Sequence, residues 1–344
     1  MQLIEAKTIL VTFLMQLGDL VLTTPFLTAL RKAAPNAKIV YLIDEKWLDI
    51  MAENPDIDEV LTIDRKGKDK GFFALHKYTN GLRARNFDYL INLNPSERCS
   101  FLAAFSGAKY KTGATHRIFR PWFDKVIKLN RSLHAADMYL DVLASLGVED
   151  LSNDGLKVIV TKEREKEAAE FFALHKVQAK EKLIGLNIGS ASATKRWLPE
   201  RFAQVADYFA DRGYKPIFFG SSSEVAMVDE TVCYMKTTPI IATGAFSIGG
   251  LVAALNYVNL LITNDSGPMH LAISQKVPIV ALYGPSKPDL YGPYNAQKSI
   301  IVRAEPLCLG CSKRMKHVCD EMNCMTNISV EQVIAAAEAL LQDI

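Results

Sequence analysis

No segment of this sequence is long and apolar enough to read as a membrane span. The longest candidate, Ile9 to Leu30, is interrupted by Gln16, Asp19, several threonines and Pro25. A basic start with a small-residue cleavage site is also missing, so no secretory signal is read and a cytoplasmic protein is expected. Neither GxGxxG nor GxxxxGKS/T occurs, which removes the usual support for a dinucleotide site or a P-loop. Helix-turn-helix, zinc-finger and aromatic-interleaved basic motifs are absent too, and no nucleic-acid partner is expected.

What is present is a globular composition of 344 residues, 49% hydrophobic and 23% charged. That length exceeds one ordinary core and predicts two domains. The net charge of +2 conceals an asymmetry: residues 65–131 hold 15 Lys/Arg against 4 Asp/Glu, leaving 25 against 34 elsewhere. Such an excess suits an anionic partner, although any single lysine in it reads as a solvated surface residue.

The pattern of elements predicts an α/β fold. A β-branched run at 7–14 leads through Leu17-Gly18-Asp19 into a helical segment with Leu22, Phe26, Leu27 and Leu30, and then into a strand at 38–43. Pro25 belongs in the first turn of that helix, where a missing N–H costs least. Strands at 59–63 and 89–93 follow. The pattern restarts with a strand at 182–188, a small-residue loop from Gly189 to Lys195, a helix over 199–212 ended by Gly213, and a strand at 214–219. Further strands precede Asn264-Asp265-Ser266-Gly267 and Tyr283-Gly284-Pro285. Strand, loop, helix, strand thus occurs twice, as two similar parallel-sheet domains require. The domains are placed at 1–157 and 158–328, with a closing helix at 329–344 that packs on the first domain in one arrangement open to such a chain.

Three loops lie where a parallel sheet normally binds ligands, past the carboxyl ends of strands: Gly18-Asp19, Gly189 to Lys195, and Asn264 to His270. Small residues admit a ligand to the backbone, and a following helix turns N–H groups toward an anion, so a phosphate site is expected.

The segments Leu17-Gly-Asp-Leu-Val-Leu-Thr-Thr-Pro25, Lys195-Arg-Trp-Leu-Pro199, Thr263-Asn-Asp-Ser-Gly-Pro-Met-His-Leu-Ala272 and Val280-Ala-Leu-Tyr-Gly-Pro285 resemble glycosyltransferase family 9, the ADP-heptose:lipopolysaccharide heptosyltransferases. The resemblance runs along essentially the whole chain. It implies a GT-B fold, two Rossmann-like domains with parallel sheets facing a central cleft, with the acceptor on the first and an ADP-sugar on the second. It also implies inverting transfer of heptose to an anionic lipopolysaccharide core at the inner membrane surface, with no cofactor required for catalysis.

By the same resemblance Asp19 is the general base, while the residues alone would make it a helix N-cap. Lys195 faces the leaving diphosphate, and the plain alternative leaves Lys195 and Arg196 merely exposed beside Trp197. Gly189, Ser190, Thr194, Glu224, Asp265, Ser266, Gly267 and His270 are expected to hold the donor, with His270 equally readable as a packing residue. Gly18, Lys66, Lys68, Arg117 and Arg120 are expected on the acceptor side. Asp56-Ile-Asp58 superficially matches a metal-binding DxD but reads more simply as a turn.

Cys308, Cys311, Cys319 and Cys324 fall within 17 residues, a spacing able to hold a structural zinc; packed reduced thiols account for it equally simply. Cys99 and Cys233 are expected to be buried apolar residues. Two rival functions stay open at this point: a GT-B enzyme using another nucleotide sugar, and a non-catalytic nucleotide-binding protein of the same fold.

Overall fold

Runs such as Ile9-Leu-Val11 and Ile39-Val-Tyr-Leu-Ile43 are buried at every position, as expected of central strands covered on both faces by helices. The computed structural model describes residues 2–178, 180–304 and 323–342. It divides into two units, Met1–Ile159 and Val160–Ile344.

The first unit carries β1 (Thr8–Thr12), β2 (Lys38–Asp44), β3 (Glu59–Ile63), β4 (Tyr89–Asn92), β5 (Tyr110–Gly113) and β6 (Lys125–Val126), in the order β3-β2-β1-β4-β5-β6. Every pairing is parallel, and Ile9 sits between Ile39 and Tyr89 in register. Chain direction across the sheet reverses between β1 and β4, which makes the carboxyl end of β1 the switch point at which such sheets bind ligands. Pro25 stands in the first turn of the Thr24–Ala33 helix, as its missing N–H requires.

The second unit repeats this order with β7 (Lys182–Asn187), β8 (Tyr214–Gly220), β9 (Ile240–Thr243), β10 (Leu260–Asn264), β11 (Ile279–Leu282) and β12 (Ser299–Val302), arranged β12-β11-β10-β7-β8-β9. Its switch point falls between β7 and β10, where Asn187 pairs with Thr263. The Pro199–Ala210 helix buries Phe202, Val205, Ala206 and Phe209 on this sheet, a spacing that puts them on one face. Gly213, at φ +82°, lets the chain turn straight into β8.

The closing helix, Val330–Gln342, belongs to the second unit. Val333, Ala337 and Leu340 join the same core, the Tyr208 hydroxyl donates to Glu338 Oε1 at 2.5 Å, and the Trp197 indole donates to the Ile328 carbonyl at 3.0 Å. Its apolar face packs on the sheet of its own unit. No described helix is long and apolar enough to cross a membrane.

Asp56 and Asp58 do structural work. Asp56 accepts from the Thr28 hydroxyl at 2.7 Å and pairs with Lys157 at 2.7 Å, while Asp58 accepts from the Ile39 amide at 2.7 Å and pairs with Arg31. Both carboxylates are thereby committed to fastening the turn before β3.

Candidate active site

At the switch point of the second sheet, buried amides knit two loops together. The Asn187 side chain donates to Thr263 Oγ1 at 3.0 Å and to Ser266 Oγ at 2.8 Å. Asn264 donates to the Ile188 carbonyl at 2.7 Å and accepts from the Trp197 amide at 3.1 Å. Arg196 holds the same loop from outside, donating through Nε and Nη2 to the Ser190 carbonyl at 3.0 and 2.8 Å. Arg196 is therefore not merely exposed, and Trp197 is buried.

On this frame the expected donor residues fall together. Ser190 Oγ donates to the Asp265 carbonyl at 3.0 Å, and Lys195 Nζ lies 2.5 Å from Asp265 Oδ2. Ser266 occupies the N-cap position of the Gly267–Ser274 helix but turns its hydroxyl inward toward Asn187 and Thr263 rather than capping the first turn. The orphan amides of that turn remain the kind of donor that suits phosphate oxygens. His270 is buried on the same helix. Thr194 shares a hydrogen bond with Ser192 at 2.8 Å, within the loop but directed along it.

Glu224 reaches the same place from β8. Its carboxylate accepts from the Ser221 amide at 2.7 Å and hydroxyl at 2.9 Å, and a Cβ placed on Gly189 would lie 1.6 Å from Glu224 Oε1. Gly189 is small because the carboxylate lies against it. Asn187, Asn264 and Arg196 are the positioning residues that sequence reasoning missed; Asn264 stood inside the matching block, but its role depends on the β7–β10 register.

In the first unit Asp19 is the third residue of the short Leu17–Val21 helix and is half-buried; Gln16 holds the N-cap position. The N-cap reading of Asp19 is therefore corrected: it lies in the first turn, where the helix dipole favours a carboxylate. The loop leading to it is gripped from three sides. Arg65 donates to the Leu14 carbonyl at 3.1 Å, Trp47 to the Met15 carbonyl at 3.1 Å, and Lys46 to Gln16 Oε1 at 3.2 Å. Arg65 is itself held by Asp44 at 2.5 Å. Burial pushes the Lys46 ammonium below its ordinary pKa range against the pull of Asp44, and the charges of Arg65 and Lys66 push the same way.

The expected acceptor residues do not form one cluster. Gly18 sits beside Asp19, Lys66 and Lys68 follow β3, and Arg117 and Arg120 follow β5 on the other side of β1 in the sheet. Lys68 is paired with Glu45 at 2.9 Å, whereas Lys66, Arg117 and Arg120 make no ion pair among the described residues. Arg120 lines a cavity of about 630 Å³ together with Thr115, Lys128, Asn130 and Arg131, past the carboxyl ends of β5 and β6. Lys128 and Arg131 belong to the basic region 65–131 but could not be singled out within it, because β6 is only two residues long.

Cys308, Cys311 and Cys319 lie outside the described residues. Cys324 is buried in the second core beside Gly284, and the described residues contain no group of three or more His, Cys, Asp or Glu placed to hold a metal. Cys99 is buried, donates to Asn92 Oδ1 at 3.1 Å, and has its thiol pushed up to about 12 by burial. Cys233 corrects the expectation: at the end of its helix it is exposed.

The model describing glycosyltransferase family 9, the heptosyltransferases, matches residues 75–323. The chain belongs to glycosyltransferase family 9. This family 9 enzyme is 28% identical over 342 residues to lipopolysaccharide heptosyltransferase 3 of Escherichia coli strain K12, covering 95% of this chain and 96% of the relative. A solved glycosyl transferase family 9 structure from Veillonella parvula DSM 2008 is 48% identical with a TM-score of 0.93, covering 100% of this chain and 99% of that one. The structure of E. coli ADP-heptose lps heptosyltransferase II superposes at a TM-score of 0.80 and 20% identity, covering 98% and 99%, and bears on the fold alone. The fold class is the GT-B type, with two Rossmann-like sheets.

Proposed function

We propose that this family 9 glycosyltransferase moves heptose from ADP-heptose to the anionic inner core of a lipopolysaccharide acceptor, inverting the anomeric centre and requiring no catalytic metal. The Asp19 carboxylate removes the acceptor hydroxyl proton as that oxygen attacks the anomeric carbon. The bond from that carbon to the β-phosphate oxygen breaks, and its electron pair leaves with ADP. Lys195 and the first-turn amides at Gly267 receive the growing phosphate charge, with Ser190 and Ser266 hydroxyls beside them. Glu224, against Gly189, accepts the ribose hydroxyls, and Asp265 holds Lys195 until a donor arrives.

The observation that carries this reading is the assembly of Lys195, Asp265, Ser190 and Ser266 on the Asn187–Asn264 frame, in a chain of this family. The donor is supported by the ADP-heptose in the name of a solved relative, and the acceptor by the lipopolysaccharide in the name of another. Lys128 and Arg131 join Arg120 as contacts for acceptor phosphates or carboxylates, and the protein works in the cytoplasm at the inner membrane surface. The Cys308, Cys311, Cys319 and Cys324 set remains a structural zinc proposal, tested by metal analysis of purified protein.

The deciding experiment is turnover of ADP-heptose with defined truncated core acceptors, alongside calorimetry with ADP, UDP and GDP. Heptose transfer with ADP preferred supports the reading. Preference for UDP or GDP replaces the donor, and ADP binding without transfer to any core acceptor points to a non-catalytic protein.

A further inference from the structure

An aromatic ladder, exposed at both ends and half-buried in the middle, runs across the first unit, and its rings have no part in the chemistry above. Phe73 is 88% exposed and Phe72 68%, at the start of the Phe72–Arg83 helix. Phe72 contacts Phe101 at 6.1 Å between ring centroids, Phe101 contacts Phe119 at 6.0 Å, and Phe119 contacts Trp122 at 6.3 Å. Trp122 is 44% exposed and Ile118, on the same Arg117–Trp122 turn, 56%. Scattered apolar side chains on a surface need no explanation, but rings joined by edge-to-face and tilted contacts into one strip form a patch.

Cations border the strip. Lys77 lies one helical turn beyond Phe73 on the same face, Lys70 precedes the N-cap Gly71 of that helix, and Arg117 and Arg120 alternate with Ile118 and Trp122. All four are exposed and none makes an ion pair or side-chain hydrogen bond among the described residues. Arg98 fastens the pieces together, donating to the Asp69 and Lys70 carbonyls at 2.9 Å from the helix that carries Phe101. The acids along the strip are few: Glu97, 3.9 Å from His116, and Asp69, which accepts the Asp64 amide.

We propose that this strip, Phe72 and Phe73 through Trp122 with its bordering lysines and arginines, docks the protein on the surface of an anionic phospholipid bilayer. Aromatic rings seat at the depth of the headgroups while lysine and arginine pair with anionic lipid, and the strip offers both at once. The proposal deepens the reading of an enzyme working at a membrane surface and rests on it for its purpose.

The test is co-sedimentation of the full chain with vesicles of phosphatidylcholine, pure or mixed with phosphatidylglycerol, at low and high salt. The wild type is expected to bind the mixed vesicles, to bind pure phosphatidylcholine at least about tenfold less, and to be released by salt. Phe72→Ser with Phe73→Ser is expected to weaken binding by about tenfold or more while leaving the thermal melt unchanged, because both rings are exposed. Lys77→Gln provides a second variant with a smaller loss, and Phe73→Trp retains binding. Equal binding to both vesicle types, no binding to either, unchanged binding by the double variant, or binding only when the vesicles carry a lipopolysaccharide acceptor overturns the proposal. Vesicle binding is measured without donor, so failure of heptose transfer and failure of docking are separate results.

Discussion

Lys195 Nζ and Asp265 Oδ2 lie 2.5 Å apart, joining loops that are 70 positions apart in the chain. The lysine side chain is 33% exposed, whereas Asp265 is almost wholly buried. The pair keeps a cation beside the loop after β7, and in the proposed reaction the donor diphosphate takes the place of the carboxylate as its partner. Lys195→Ala is expected to lower kcat/KM by about 10²- to 10³-fold, the usual cost of one charge-stabilising donor, and to weaken ADP binding. The stability loss is expected at about 1–3 kcal/mol, because the lysine side is open to water but the buried Asp265 carboxylate loses its cation. Unchanged steady-state kinetics would remove Lys195 from the mechanism.

Gly189 gives a sharper test of Glu224. A Cβ at position 189 lands on the Glu224 carboxylate, which must swing away and give up its bonds to Ser221. Gly189→Ala should cost only about 1 kcal/mol in denaturant titrations, the value of such a cap, while raising the Kd for ADP about tenfold. In a Glu224→Ala background the same substitution should add little to either quantity. Additive effects in that cycle contradict the placement of Glu224 at the donor.

Asn264 tests the frame rather than the chemistry. Its side chain satisfies the Ile188 carbonyl and the Trp197 amide, both inside the protein. Asn264→Ala orphans both and is expected to lower stability by about 2–4 kcal/mol by urea titration. A loss under about 0.5 kcal/mol would mean that the two loops hold together without it.

Much of this architecture is legible in the sequence because seven strands inside the sheets, and the edge strand β3, are apolar or β-branched runs flanked by helical periodicity. The four missed strands, Tyr110–Gly113, Lys125–Val126, Ile240–Thr243 and Ser299–Val302, lie toward the outside of the sheets, are two to four residues long and are exposed or only partly buried, so each carries at most three apolar residues in a row, too short a run to mark a strand. Without β6, Lys128 and Arg131 could not be told apart from the rest of the basic region 65–131. In the donor loops, residue types alone indicated a phosphate site, and it was the resemblance to family 9 that singled out Lys195, Asp265 and the serines. The buried amides of Asn187 and Asn264 were not readable, since a polar side chain inside a strand is explained only by the neighbour that register brings opposite it.

Acid stability should report on the far end of the first sheet. Asp88 accepts from the Lys7 amide at 3.1 Å, the Thr8 amide at 3.1 Å and the Thr8 hydroxyl at 3.2 Å, and pairs with Lys109 at 2.7 Å. The Lys109 ammonium, then the Thr8 hydroxyl and the Lys7 amide, hold its carboxyl below the usual carboxylate range despite some burial. A carboxyl lowered by folding stabilises fully above its unfolded pKa of about 3.9 and loses that contribution as pH falls through the lower folded value. Asp88→Asn should therefore be less stable than wild type near neutrality, with the gap closing below about pH 4. A gap constant across an acid denaturation series refutes the assignment.

Single-turnover transfer by Asp19→Asn, with saturating ADP-heptose and a truncated core acceptor, tests the central claim most directly. The account predicts ADP affinity within about twofold of wild type and transfer reduced by about 10²- to 10⁴-fold, because only proton removal has been lost. Transfer at the wild-type rate would contradict it.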